Sequence, residues 1–245
     1  VENLSESLIE LCALRNLGLL TTETAIEFGV NALIEGADSP ALRRLAGAYP
    51  RDHLADVIPW LDKALTELGI EKSQFEMGAY YRPYSRLLTK QVLKGTLSPH
   101  QGLKRLAELL YLTPENDRLL YFFSELDDAL DFWPQDPDEA NALYPELGEM
   151  PPEDCIRAEC ELFLALSEHP VLREDLFLQA YCPRCETLAR PLYRPMPEPW
   201  SESIKRLIAR GHRPHQALCS QCLRPDPLNM SSIAGRRQYL ANKLL

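Results

Sequence analysis

The chain has 245 residues, 45% of them hydrophobic and 25% charged, with 26 Lys and Arg against 36 Asp and Glu for a formal charge of −10. These proportions are those of a soluble globular protein with room for a sizeable core. They exclude a membrane-spanning helix as an expectation: no apolar run approaches the roughly 18–20 residues that one needs, and no signal peptide is visible.

Nearly everything before residue 181 reads as helix. A stripe of helical period at Leu8, Ile9, Leu11, Cys12 and Leu14 predicts a helix over 4–17. Thr22 is placed to cap a second, with Ala25, Ile26, Phe28, Val30, Leu33 and Ile34 as its buried face and Gly36 as its stop. Ser39-Pro40 opens a third, serine as cap and proline pre-shaped for the first turn. Further helices are expected over 53–68, where Pro59 should kink or break the run, and over 76–93, where Pro83 should do the same. Residues 98–112, 115–132 and 155–166 complete the set.

One device is used twice. Gly36-Ala-Asp-Ser39-Pro40 precedes Leu42-Arg-Arg-Leu45-Ala46, and Gly95-Thr-Leu-Ser98-Pro99 precedes Leu103-Lys-Arg-Leu106-Ala107. Either two related helical units exist, about 1–72 and 76–145, or helical hairpins have converged on the same punctuation.

Between 124 and 161 the chain is densely acidic, with Arg157 the one basic residue there. Pro134, Pro137, Pro145, Pro151 and Pro152 divide it into turns. It is either a solvated linker or an acidic surface that covers a basic partner. In the second case Asp127, Asp128, Asp131, Asp136, Asp138 and Glu139 are the candidate partner-binding residues.

The tail differs in kind. Residues 1–181 hold 15 Lys and Arg against 32 Asp and Glu, a balance of −17, whereas residues 182–245 hold 11 against 4, a balance of +7. Short strands are expected over 177–181 and 187–193, a helix over 201–210 ended by Gly211, and a last helix over 233–245. Within this tail lie Cys182-Pro-Arg-Cys185 and Cys219-Ser-Gln-Cys222, separated by 33 residues. Two such knuckles can turn four sulfurs toward one point at roughly 2.3 Å from a zinc ion. Four thiolates leave no open coordination position, so the zinc expected here holds structure and does not activate water. Disulfides within the knuckles and a redox CxxC are the alternatives, but no strand–helix unit of thioredoxin type flanks either knuckle. His212 and His215 lie close enough to Cys219 to replace a thiolate, a substitution that four cysteines make unnecessary. Cys12, Cys155 and Cys160 remain over and read as buried apolar thiols. An odd cysteine count with metal-type spacing points to a reducing cytoplasm.

No nucleophile motif, phosphate-binding loop, dinucleotide fingerprint or HExxH pattern is present, so no enzyme is expected. The basic tail offers a different activity. Arg184, Lys205, Arg206, Arg210 and Arg213, with Arg190 and Arg194, could contact phosphates, and Tyr193 and Trp200 could stack on bases.

Three stretches of the first half, Gly18-Leu-Leu-Thr21, Ala32-Leu-Ile-Glu-Gly36 and Ser39-Pro-Ala-Leu-Arg-Arg-Leu-Ala-Gly47, loosely resemble uncharacterised bacterial helical proteins found beside polymorphic toxins. Val92-Leu-Lys-Gly95, Ser98-Pro99 and Phe122-Phe123-Ser-Glu-Leu126 resemble the second half of that architecture, so the likeness covers about residues 5–132. It implies an immunity-type binder without catalytic residues, and it does not account for a zinc module. The fold expected is mainly α: a helical body over 1–170, then a small zinc-ribbon-like module with a helical tail over 177–245. The function expected is stoichiometric binding of a protein, most concretely a basic toxin; the alternative is a zinc-ribbon regulator that binds nucleic acid or transcription machinery.

Overall fold

The computed structural model describes residues 2–70, 81–112, 118–168, 176–196 and 215–243, and the fold is mainly α. The chain forms two compact units, Val1–Asp117 and Arg118–Leu245.

The first unit holds α1 (Glu2–Asn16), α2 (Thr22–Ile34), α3 (Pro40–Ala46), α4 (Leu54–Glu67), α5 (Tyr81–Lys94) and α6 (Pro99–Leu112). Leu11, Phe28, Leu42, Leu45, Leu61 and Leu65 bury together where α1 to α4 meet. At the start of α2 the cap is Thr21, not Thr22: its hydroxyl accepts the Thr24 N–H at 3.2 Å. Thr22 instead turns inward and donates to the Asp52 carbonyl at 3.1 Å. Only part of the apolar stripe of α2 is covered, since Val30 and Ile34 are 38% and 78% exposed. The helix α4 continues through Pro59, and the chain is helical on both sides of Pro83. Pro59 removes one backbone bond from α4, and packing of the apolar face outweighs that loss, whereas Pro83 lies in the first described turn of α5.

The repeated Gly–Ser-Pro device has the same geometry both times. Gly36 and Gly95 end their helices at φ of +91° and +77°, a left-handed conformation that a Cβ would strain. Ser39 Oγ then accepts the Leu42 N–H at 3.1 Å, and Ser98 Oγ accepts the Gln101 N–H at 3.3 Å. Each restart lays the new helix against the old one.

The second unit begins with a 3-10 turn (Arg118–Leu120), followed by α7 (Tyr121–Phe132), α8 (Pro137–Leu143), a 3-10 turn (Pro145–Gly148) and α9 (Pro152–Ser167). The acidic segment is therefore largely folded. Asp136 starts α8 by accepting the Glu139 N–H at 3.1 Å, and Phe123 of α7 packs on Phe163 of α9 with ring centroids 5.5 Å apart. Its carboxylates divide into two groups. Glu146 and Glu159 are buried, whereas Asp128, Asp131, Asp136, Asp138 and Glu139 are exposed and Asp127 is half-buried.

The same compact unit contains the cysteine module. Residues 176–178 form a 3-10 turn where a strand was expected, so the first strand starts later. The strands are β1 (Ala180–Cys182), β2 (Thr187–Ala189), β3 (Leu192–Pro195), β4 (His215–Leu218) and β5 (Leu228–Asn229). They make a three-stranded antiparallel sheet in the order β2-β1-β5 and a separate β3-β4 pair. The last helix, α10 (Ile233–Lys243), packs on α9 and β5. Close approach there depends on Gly235, where a Cβ would lie 2.0 Å from the Asn229 carbonyl oxygen. The helix expected over 201–210 lies outside the described residues.

Candidate metal centre

The two knuckles are local structures of the same kind. The first is the turn of the β1–β2 hairpin, closed by the pairing of Cys182 with Thr187. The second is closed by a bridge between Leu218 and Pro225, with the Cys219 N–H donating to the Arg224 carbonyl at 2.8 Å and the Leu223 N–H to the Cys219 carbonyl at 2.9 Å. In both, the residue after the second cysteine is left-handed: Glu186 at φ of +53° and Leu223 at φ of +57°. Neither is glycine, and a side chain in this conformation costs roughly 1–2 kcal/mol. Leu223→Gly is therefore expected to stabilise the second knuckle by up to about 1 kcal/mol after the greater chain entropy of glycine is deducted. Chelator competition checks this: metal should be held more tightly in the variant, and weaker retention would contradict the strain assignment.

These turns bring the four sulfurs together. Cys182 Sγ lies 3.7 Å from Cys222 Sγ, Cys185 Sγ lies 3.5 Å from Cys219 Sγ, and all four sulfurs fall within 4.8 Å of one another. A tetrahedron with metal–sulfur bonds of about 2.3 Å has sulfur–sulfur edges of about 3.8 Å. Direct S–S bonds of about 2.05 Å are not made, and all four are free thiols. Neither knuckle closes a disulfide on itself, and the four sulfurs form a single cluster drawn from both. It could hold a metal ion. His215 stands exposed in β4, and the cluster is composed of cysteines alone.

Two residues that spacing does not mark join the halves. The Thr187 hydroxyl lies 3.2 Å from the Cys185 carbonyl and contacts the side-chain amide oxygen of Gln221, inside the second knuckle. Thr187 and the neighbouring thiols draw the Cys185 thiol down to about 6, whereas at Cys222 the downward pull of the Arg224 backbone is outweighed by burial and the same cluster of thiols, which push it up to about 11. At Cys185 this favours the thiolate that a metal requires. Only their place in the fold identifies Thr187 and Gln221.

The remaining cysteines behave differently. Cys12, Cys155 and Cys160 are buried, and burial first, then nearby carboxylates, pushes both Cys155 and Cys160 up to about 12. Burial of this kind suits small apolar packing residues. Of the basic residues singled out by sequence, Arg184, Arg190 and Arg194 are exposed on the module, whereas Lys205, Arg206, Arg210 and Arg213, with Trp200 and His212, lie outside the described residues. Among the described residues no helix is long and apolar enough to cross a membrane. No family model, curated protein or solved structure matches the chain.

Proposed function

We propose that this chain is a non-enzymatic, stoichiometric protein-binding protein, an immunity- or antitoxin-like protein whose acidic helical surface covers a basic toxin, with structural zinc held by Cys182, Cys185, Cys219 and Cys222. The observation that carries the binding reading is the outward face of α7 and α8. Asp128, Asp131, Asp138 and Glu139 are exposed there, and among the described residues none of them has an ion-pair partner. Phe132 and Leu143, on the same two helices, are 46% and 44% exposed. Carboxylates left unpaired in this way repel one another until a cationic surface covers them, and apolar side chains nearby add area to bury. Zinc is the metal that four thiolates in a tetrahedron favour, iron being the other soft candidate.

Affinity capture from the native host after nuclease treatment tests the reading. One stoichiometric basic protein is expected, and the combined change Asp128→Asn, Asp131→Asn, Asp138→Asn and Glu139→Gln should weaken its binding by at least about tenfold. Undiminished binding by that variant would remove the acidic surface from the account.

A second reading has one observation in its favour. Every residue of β3 is exposed, Tyr193 being 65% so, with Arg194 beside it. A stacking residue next to a guanidinium suits single-stranded nucleic acid. Capture of nucleic acid that disappears with nuclease and falls steeply with salt would favour this surface over the acidic one.

A further inference from the structure

The least expected group in the second unit is a buried cation. Arg236, in the first turn of α10, and Glu159, in the middle of α9, are each 1% exposed. They form a two-pronged pair, Nη1 to Oε2 and Nη2 to Oε1, both at 2.5 Å. The guanidinium also donates to the Ser232 carbonyl from Nε at 3.2 Å and to the Ser231 carbonyl from Nη2 at 3.3 Å. It lies 3.8 Å from the ring centroid of Phe122 in α7. The Tyr144 hydroxyl donates to the same Glu159 carboxylate, and Glu146 accepts the Ile233 N–H at 2.7 Å. One side chain of α10 is thus bound to α7, to α9 and to the turn that follows β5. Its fixed planar fork and its neighbours satisfy a charge that would be prohibitive to bury alone.

That turn and that helix also frame the metal centre. Cys182 is the last residue of β1, and the preceding residue, Tyr181, is fully buried against Tyr239 of α10, ring centroids 5.5 Å apart and edge-on. Asn242 of α10 donates to the Tyr181 hydroxyl at 2.9 Å. β5 pairs with β1, Tyr181 opposite Leu228, and the Met230 N–H just beyond it donates to the Gln179 carbonyl at 3.0 Å. Strands of three and two residues are far too short to persist on their own. The four cysteines stand at one end of them, and α10 packs on the other.

We propose that metal loading and the docking of α10 on α9 are one coupled event, with the Arg236–Glu159 pair as the latch through which the four-cysteine centre stabilises α7 to α9. Removing the metal frees β1 and β5, the Tyr181–Tyr239 contact loses its support, and the guanidinium is drawn out into water. By linkage, the intact latch strengthens metal binding by the same factor by which metal loading strengthens the latch. The proposal rests on the reading of the four cysteines as a metal site, and the test separates the two.

The full chain is loaded with zinc, and its affinity is measured by competition with a chromogenic chelator for the wild type, Glu159→Gln, Arg236→Lys and Arg237→Gln. Arg237 pairs with Glu161 on the same two helices at 3.7 Å, with both side chains more than half exposed, so Arg237→Gln breaks an ion pair between α9 and α10 without touching the latch. Affinity is expected to fall by about tenfold or more in the first two variants and by less than about twofold in Arg237→Gln. Hydrogen exchange of the wild type needs no variant to fold: stripping zinc should remove protection from 233–243 and lower it across 152–167. Zinc affinity that is the same in all four proteins, or protection of 233–243 that survives stripping, overturns the latch while leaving the metal site standing. Failure of the wild type to take up zinc at all overturns both.

Discussion

Cys182→Ser or Cys219→Ser is expected to leave the protein without stoichiometric metal and to unfold the segment from β1 to β5. Each change removes one of four thiolates that converge within 4.8 Å, and the three left behind have no described histidine among them. The strands contribute little by themselves, since β1 and β2 are three residues long and β5 two. Metal binding to such a site is itself folding free energy, on the order of 10–16 kcal/mol for structural zinc in small modules at neutral pH. The effect should therefore be all-or-none in that segment. Metal analysis after gel filtration, paired with limited proteolysis, measures it: wild type with one metal and protected strands, variants with none and new cleavage within 180–189 or 215–229. The first unit, Val1–Asp117, packs its own core and should keep its helices throughout. Retention of one metal by either variant would show that the four-thiolate assignment is incorrect.

The second large effect is expected at Glu159. Glu159→Ala leaves Arg236 buried without its anion and takes from the Tyr144 hydroxyl the acceptor it uses. Breaking a buried pair from one side costs about 3–5 kcal/mol, because the remaining charge is buried without its counter-ion. The double change Glu159→Leu with Arg236→Met should cost far less, since it removes both charges and refills the volume. Denaturant unfolding followed by a probe in the second unit distinguishes the two: a large loss in the single variant and near-recovery in the double. Equal losses in both would mean that the site is held by shape and not by charge. Exposed pairs on the same helices, such as Arg157 with Asp154, should be nearly silent by comparison.

These two regions differ in how far the sequence reveals them. The cysteine knuckles are legible because metal ligation demands two short turns, and a CxxC pair records each turn locally. Most helix positions are legible for the same reason: the Gly36 and Gly95 stops and the Ser39 and Ser98 caps are written within a few residues of where they act. The cap of α2 shows the limit of that rule. Thr21 and Thr22 are equivalent in sequence, and only the Asp52 carbonyl, thirty positions on, decides that Thr22 faces inward.

The acidic segment is less legible. Thirteen carboxylates in one stretch read alike, yet Glu159 is held by a residue 77 positions away and Glu146 by one 87 positions away. Nothing local separates them from exposed Asp128 or Asp138. The arginine has the same history: Arg236 and Arg237 are adjacent and chemically identical, and helical phase alone sends one to the core and the other to solvent. Charge totals therefore described the tail as basic without revealing that one of its charges belongs to the interior.

The most direct test of the account is X-ray absorption at the zinc edge, with metal quantitation, on protein purified without added metal. The account predicts one zinc per chain in a shell of four sulfurs at about 2.3 Å, with no nitrogen or oxygen ligand. A metal-free protein with Cys182, Cys185, Cys219 and Cys222 in disulfides, or a shell of mixed sulfur and nitrogen, would contradict it.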